Sequence, residues 1–428
     1  MDKLLVIADD FTGALDTGIQ FVRMGIQSKI VADYNYDPMR QDSEYPVLSV
    51  SVDSRRTDGE TAWNRVYTLT RKARDAGYKN IYKKTDSGLR GNIGMELKAV
   101  LDACRTNVIV FVPAYPGMNR VTRNGVQYID QIPVSESVFG KDPYEPVIYS
   151  DIAQMIRRQT DLIVKIIPRD DYDSIPDSCQ EQTVMLFDAE SDEDMIRIAR
   201  ALKRKGFGSV CAGCAGFASV YQEILSMEKG KTDRFRKTRG ILALCGSMNP
   251  ITIEQLDYAA AHGFTRKHLA SEKKLKPATS LSQDKQFFDH LFMEISSTDR
   301  YILDTLDGPD RTSAEYAADN GIPLPEIRDR IADSLGLIAS QMVCRGLDYT
   351  FSMTGGDTLS AFMKMIGERE LVPVCETGNG AVLSILHYRG RQIQIISKSG
   401  GFGELDIFVK MYRTTVYMQD DFKEAHSI

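Results

Sequence analysis

Short apolar runs alternate along the chain with stretches of helical periodicity, and polar turns join them. Residues 4–8 (Leu-Leu-Val-Ile-Ala) read as a buried strand and 15–24 as an amphipathic helix. Residues 47–52 and 80–82 read as further strands, with helices predicted over 61–76 and 95–103. The run 108–112 is a buried strand by the same reasoning, and strand and helix patterns resume at 162–167, 183–187 and 193–205. From 210 the chain leads into a helix predicted over 217–225. Residues 125–146 read as irregular, a small β excursion that covers a pocket. The second half restarts with a strand at 241–244 and a helix at 253–262. Strands at 301–303, 348–353 and 393–397 and helices at 327–343 and 359–366 follow. Strands alternating with helices predict an α/β fold whose sheets are mostly parallel and flanked by helices.

A chain of 428 residues is longer than one usual domain, so two are expected. The stretch from 226 to 239 is dense in Lys, Arg, Glu and Asp, and a solvated connection is the simplest reading of it. The expected division is therefore 1–228, a charged linker at 229–239, and 240–428. The apolar fraction of 43% and charged fraction of 26% are those of a globular protein. A net charge of −6 disfavours a nucleic-acid grip, and no apolar run has the length of a membrane span. Residues 1–7 enter a strand directly, without the apolar region of a signal peptide, so a cytoplasmic location is expected. The seven scattered cysteines suit a reducing compartment. Cys211 and Cys214 have metal-knuckle spacing but no second pair, and read as buried small residues. None of the five histidines lies in a polar, glycine-rich cluster, so carboxylates are the candidates for proton transfer.

The chemistry gathers at predicted strand ends. The densest stretch is Lys83-Lys84-Thr85-Asp86-Ser87-Gly88-Leu89-Arg90-Gly91-Asn92, read as a turn carrying too much charge for a core element. Lysine and arginine can fix a carboxylate, and glycines let a backbone approach a ligand. A small anionic molecule bearing hydroxyls is the expected ligand. Asp9 and Asp10 end the first strand, where one aspartate could simply cap the next helix and the other would remain to hold hydroxyls, orient a metal or take a proton. Asp53-Ser54-Arg55-Arg56 ends the next strand, and a proline-locked loop with Asn119 and Arg120 ends another. In a parallel sheet these ends share one edge. In the second half, Gly246-Ser247 and Gly355-Gly356-Asp357-Thr358 are each read as opening a helix after a strand. Lys398-Ser399-Gly400-Gly401-Phe402-Gly403 is a glycine-rich loop with a cation. Such backbone suits polyphosphate, although neither a Walker A loop nor a dinucleotide fingerprint is present.

Together these motifs resemble the four-carbon acid sugar kinase family over nearly the whole chain. The resemblance rests on residues 8–14, 53–55, 83–94, 113–116, 246–247, 354–358 and 398–403. It implies a sugar-acid-binding first domain, an ATP-binding second domain, an active site in the cleft between them, and transfer to the terminal hydroxyl of a four-carbon acid. Residues 84–92 look like the D-threonate kinase type; 3-oxo-tetronate or D-erythronate are the alternative acceptors, and a sugar-acid sensor without turnover is the distant one. On this reading Asp9, Asp10, Arg55, Lys83, Lys84, Thr85, Asp86, Ser87, Arg90 and Asn119 bind the acid. Ser247, Gly355, Gly356, Asp357, Thr358, Lys398, Gly400, Gly401, Phe402 and Gly403 hold ATP with Mg²⁺. Asp357 and Asp86 are the candidate bases. The metal ligands are unassigned, and a homo-oligomer is open.

Overall fold

The computed structural model describes residues 3–39, 45–142, 145–230, 234–308 and 312–417. The chain divides into two units, Met1–Thr232 and Asp233–Ile428. Of the expected linker at 229–239, residues 231–233 lie outside the described residues. Gly230 is tied to the first unit by its N–H, which donates to Gly25 O at 2.9 Å.

Among the described residues, the first unit is built on eight parallel strands. In chain order they are β1 (Leu4–Ala8), β2 (Ser28–Val31), β3 (Val47–Ser51), β4 (Asn80–Lys84) and β5 (Val108–Val112). Three short strands, β6 (Arg120–Arg123), β7 (Val126–Ile129) and β8 (Ile132–Pro133), then form a separate antiparallel sheet. The main sheet resumes with β9 (Ile163–Ile167), β10 (Thr183–Phe187) and β11 (Val210–Gly213), giving the spatial order 2-3-1-4-11-5-10-9. Every residue of β1, β3, β4 and β5 is buried, as expected for parallel strands covered on both faces. The chain leaves β1 toward β3 on one side and β4 on the other. That change of direction opens a crevice at the strand ends, where such sheets place ligands.

The second unit contains β12 (Gly240–Cys245), β13 (Thr265–His268), β14 (Arg300–Asp304), β15 (Tyr349–Thr354), β16 (Glu370–Gly378), β17 (Ala381–Tyr388) and β18 (Arg391–Lys398). Their order is 13-14-12-15-18-17-16, parallel as far as β18 and antiparallel beyond it. Here β12 is the switch point, with β14 and β15 on its two sides. The β16–β17 hairpin and β13 were not anticipated from the sequence. The hairpin turn at 379–380 carries Gly380 at φ +72°, a conformation suited to glycine.

Two local expectations are corrected. The helix expected over 217–225 is instead a four-residue turn, Ala215–Ala218, followed by a 3₁₀ turn, Tyr221–Glu223. The Tyr221 hydroxyl donates back to Gly208 O, which ties this segment down without a continuous helix. Lys83 and Lys84, expected in a turn, are the last two residues of β4, both buried.

Candidate active site

Because side chains alternate along a strand, Lys83 and Lys84 point to opposite faces of β4. Lys84 Nζ reaches toward Asp9 Oδ1, 3.9 Å away, at the end of β1. Lys83 turns the other way and pairs with Glu96 at 3.0 Å, with both side chains buried. The expectation that both lysines face the acid is therefore corrected: only Lys84 joins the cluster.

Asp10 caps the helix Phe11–Arg23, its Oδ1 accepting from Gly13 N at 2.8 Å. Its other oxygen lies 2.7 Å from Arg55 Nη1. Arg55 Nε donates to Asp9 Oδ2 at 2.7 Å, and its Nη2 stands 3.5 Å from Asp86 Oδ1. One guanidinium, from the loop after β3, thus serves three carboxylates from the ends of β1 and β4. Of the roles weighed for the aspartate pair, the helix cap is realised by Asp10, while Asp9 is paired with Arg55. Asp86 is bound bidentately by Arg90, through Nε and Nη2 at 2.9 Å each. It also accepts from the backbone N–H of Gly88 and of Arg90. Burial pushes the Asp86 carboxyl up, but Arg55 and Arg90 outweigh it and hold the group well below the usual carboxylate range. Burial also pushes Asp9 up, and Arg55, Lys84 and Lys83 bring it below its ordinary value. Arg55 itself is disfavoured by burial, yet Asp10, Asp9 and Asp86 raise it further.

The loop 85–91 is shaped from both sides. Leu89 at φ +63° and Gly91 at φ +91° turn the backbone sharply enough for Arg90 to fold back onto Asp86. Thr85 is buried, its N–H donates to Gly213 O at 2.8 Å, and its hydroxyl has no hydrogen-bond partner among the described residues. From above, the small sheet β6–β8 and the segment after it close on the loop. Arg120 donates to the Ser87 hydroxyl, and Gln127 Nε2 donates to Ser87 O at 3.3 Å. Phe139 lies 5.2 Å from both the Arg90 and Arg120 guanidinium groups, and a Cβ on Gly88 would stand 2.6 Å from its ring. Cationic groups over an aromatic face are mutually attractive. The excursion expected at 125–146 is therefore a small sheet over this loop, with 143–144 outside the described residues.

Asn119, named with the acid-binding residues, is exposed in a left-handed turn at φ +53°. Its neighbour Arg120 is the residue that reaches Ser87. Arg120, Gln127 and Phe139 are missing from the expected set. Arg120 was visible as a cation in the loop after β5, but Phe139 carried no signal in sequence, because only the excursion's return path brings it over Gly88.

In the second unit three glycine turns converge. Gly355, at φ +100°, opens the helix Gly356–Ile366, and its N–H donates to Lys398 O at 3.0 Å. A Cβ on Gly400 would lie 2.8 Å from Ser247 Oγ, and one on Gly246 would lie 3.1 Å from Thr358 Oγ1. The expectation that Gly246-Ser247 opens a helix is corrected: Asn249 caps the helix Pro250–Ala261, and residues 246–248 precede it as a loop. That helix holds the glycine-rich segment. Thr252 donates to Gly400 O, and Gln255 Nε2 donates to the carbonyls of Phe402, Gly403 and Glu404 at 3.1, 2.8 and 3.1 Å.

Lys398 is buried beside these turns. Its Nζ donates to Ser399 O at 3.0 Å, and among the described residues no carboxylate lies within ion-pair distance. Burial pulls its ammonium down to about 8. Asp357, in the first turn of its helix, accepts from Arg328 Nε at 2.7 Å and is about two-fifths exposed. A glycine turn at a helix N-terminus, with a buried ammonium lacking an acidic partner beside it, fits an anionic polyphosphate. Among the described residues no group of three acidic, His or Cys side chains is gathered for a metal ion, and no helix is long and apolar enough to cross a membrane.

Two family models match the chain. Residues 4–221 match the family of sugar-binding N-terminal domains, and 242–408 match its companion, the nucleotide-binding C-terminal domain. The D-threonate kinase of Salmonella typhimurium is 25% identical over 94% of this chain and 95% of its own. The D-erythronate kinase of Heliobacterium modesticaldum is 26% identical over 95% of each. A 3-oxo-tetronate kinase of Pseudomonas fluorescens is 23% identical over 94% of this chain and 95% of its own. Among solved structures, a Haemophilus influenzae protein superposes with a TM-score of 0.72 at 19% identity, covering 95% of this chain and 98% of that one, which speaks to the fold alone. The chain belongs to the four-carbon acid sugar kinase family.

Proposed function

We propose that the protein transfers the γ-phosphoryl group of ATP to the terminal hydroxyl of D-threonate, giving 4-phospho-D-threonate. The first unit is the acid-binding domain on this reading, and the second is the nucleotide-binding domain. The observation that carries it is the cluster of Asp9, Asp10, Arg55, Asp86 and Arg90 at adjacent strand ends, fixed by one central guanidinium. D-threonate is preferred because residues 84–92 resemble the D-threonate kinase type; full-length alignment alone does not separate it from D-erythronate or 3-oxo-tetronate.

Each residue has a distinct task. Lys84, whose nearest carboxylate oxygen is 3.9 Å away, would meet the substrate carboxylate, and Arg90 would hold Asp86 in place beside it. Arg55 neutralises the three aspartates, and Asp10, partly exposed, is the carboxylate open to a substrate hydroxyl. The γ-phosphate would lie against Gly355, Gly356, Thr358 and residues 400–403, with Lys398 and Ser247 beside it. Mg²⁺, where bound, neutralises phosphate charge, and such ions keep much of their coordination in phosphates and water. Of the two expected bases, Asp357 is the better candidate. Asp86 already accepts four hydrogen bonds and is held strongly ionised, which makes it a weak proton acceptor. Phosphoryl transfer asks mainly for positioning and charge neutralisation, so the base is a small part of the task.

The test is ADP release with Mg-ATP against D-threonate, L-threonate, D-erythronate and 3-oxo-tetronates. D-threonate should give the highest kcat/KM. Faster turnover of another acid would rename the substrate. Nucleotide binding with no turnover of any four-carbon acid would overturn the kinase reading in favour of a sensor.

A further inference from the structure

Behind the cluster lies an ion pair that the proposed chemistry does not use. Lys83 and Glu96 are 0% and 1% exposed, and their charged atoms are 3.0 Å apart. Both Glu96 oxygens are engaged, Oε2 with Lys83 and Oε1 with the Ser54 hydroxyl. Ser54 has every polar group committed. Its N–H donates to Asp9 O at 3.0 Å, its carbonyl accepts from Asn92 Nδ2 at 3.1 Å, and its hydroxyl donates to Glu96. The next residue is Arg55, the hub of the three carboxylates. Lys83 Nζ also donates to Lys84 O at 2.6 Å, on the residue whose own side chain faces Asp9.

We propose that Glu96, held by Lys83, is a positioning residue for Arg55 and so sets affinity for the acid without touching it. This rests on the kinase reading above and adds a second layer to that site. Stability is a poor explanation for the pair, because well-packed apolar residues of similar volume often serve as well or better. An apolar pair, however, could not accept the Ser54 hydroxyl. The pair links the end of β4, the first turn of the helix Ile93–Cys104 and the loop after β3, the elements that must agree for Arg55 to meet Asp9, Asp10 and Asp86 together. Displacements of an ångström at such a site cost large factors in rate or affinity.

Glu96→Ala is a poor test, since it strands the Lys83 charge and lost folding would look like lost positioning. The informative variant is Lys83→Met with Glu96→Leu, which fills the space and removes the link. It should melt close to wild type, raise KM for the acid by about tenfold or more, and leave KM for ATP within about twofold. The Arg55 Nε–H, read by NMR hydrogen exchange, should exchange markedly faster. Lys83→Met with Glu96→Gln, which keeps an oxygen for Ser54 and strands no cation, should recover most of both. A Lys83→Met, Glu96→Leu variant with wild-type acid KM and unchanged Arg55 exchange overturns the proposal. Should that variant not fold, Ser54→Ala cuts the same link from the other end and is judged by the same readouts. If the wild type turns over no four-carbon acid, the kinase reading fails, and the exchange of Arg55 still decides the positioning.

Discussion

The strand ends of the two units solve opposite electrostatic problems. In the first unit, charge is dense and internally balanced: three carboxylates surround Arg55, and Arg90 locks onto one of them. In the second, the glycine turns carry little charge, and the buried ammonium beside them, Lys398, stands without an acidic partner among the described residues, whereas the buried Lys274 pairs with Asp307. A pre-paired cluster is rigid and selects by geometry, as a small acid with several hydroxyls requires. An ammonium without an acidic partner beside glycine turns is left for the ligand to neutralise, as a polyphosphate would. The two sites should therefore fail in different ways.

The largest effect is expected from removing the hub. Arg55→Ala leaves Asp9, Asp10 and Asp86 facing one another, and stranding buried charge costs about 3–5 kcal/mol. Acid turnover should fall by roughly a thousandfold or more, while calorimetry should find ADP affinity unchanged. Loss of ADP binding would break the division of labour between the units. The pH dependence has a definite sign. Asp9 and Asp86 have folded values below their unfolded ones, so their contribution is fully present above the unfolded carboxylate range, near pH 4, and is lost as pH falls through the lower folded values. The variant should lose that acid-side slope in a melting-temperature series.

The converse break lies in the glycine turns. Gly400→Ala drives a Cβ to 2.8 Å from Ser247 Oγ, and Gly355→Ala places a side chain at φ +100°. The second costs on the order of 1–2 kcal/mol in backbone strain alone. Either should weaken nucleotide binding by roughly ten- to a hundredfold and leave the KM for the acid in place. An equal rise in both constants would mean that the turns serve overall integrity rather than phosphate.

A milder and more specific effect follows from Lys398. Burial lowers its ammonium to about 8, below the ordinary lysine value, so the folded chain sheds this proton sooner than the unfolded one. The penalty for burying the charge is therefore full below pH 8 and is relieved as pH rises from 8 toward the unfolded value. Lys398→Met should then melt higher than wild type at pH 7, with the advantage shrinking in alkali. Binding of a phosphate anion raises the lysine again, so ADP binding should take up a proton near pH 8–9. Affinity should fall by about tenfold per unit at most above that range. Calorimetry in buffers of different ionisation enthalpy measures the uptake, and its absence would remove Lys398 from the phosphate site.

What the sequence revealed and what it hid divide along the same line. Apolar runs marked β1, β3, β5, β10 and β12 because parallel strands buried on both faces are continuous apolar stretches. The glycine turns at 355–356 and 400–403 were legible because glycine at a strand end has a local backbone meaning. Lys83 and Lys84 were misread because two lysines suggest solvent, whereas alternation in β4 sends one to Glu96 and the other toward Asp9. The antiparallel pair β16–β17 was missed for want of a helix between strands, and Phe139 because its role depends on a return path fifty residues after Gly88. Local chemistry could be read; pairing across the chain could not.

The smallest expected effect tests that last distinction at neighbouring residues. Asn119 and Arg120 sit side by side, Asn119 closing the turn after β5 and Arg120 opening β6, and composition alone makes both plausible ligand groups. The backbone separates them. Asn119 occupies a left-handed position at φ +53° and is exposed, while Arg120 turns inward to Ser87 and Phe139. Asn119→Gly keeps the backbone easy, since glycine adopts positive φ freely, and should change stability by no more than about 0.5 kcal/mol. Its acid KM should stay within about twofold of wild type. Arg120→Ala removes the donor to Ser87 and one cation from the Phe139 face, so it should raise acid KM by about five- to tenfold. ATP KM should hold in both. If Asn119→Gly instead raises acid KM as much as Arg120→Ala does, the loop acts through its backbone shape, and the side-chain contacts to Ser87 and Phe139 are not what fixes the pocket.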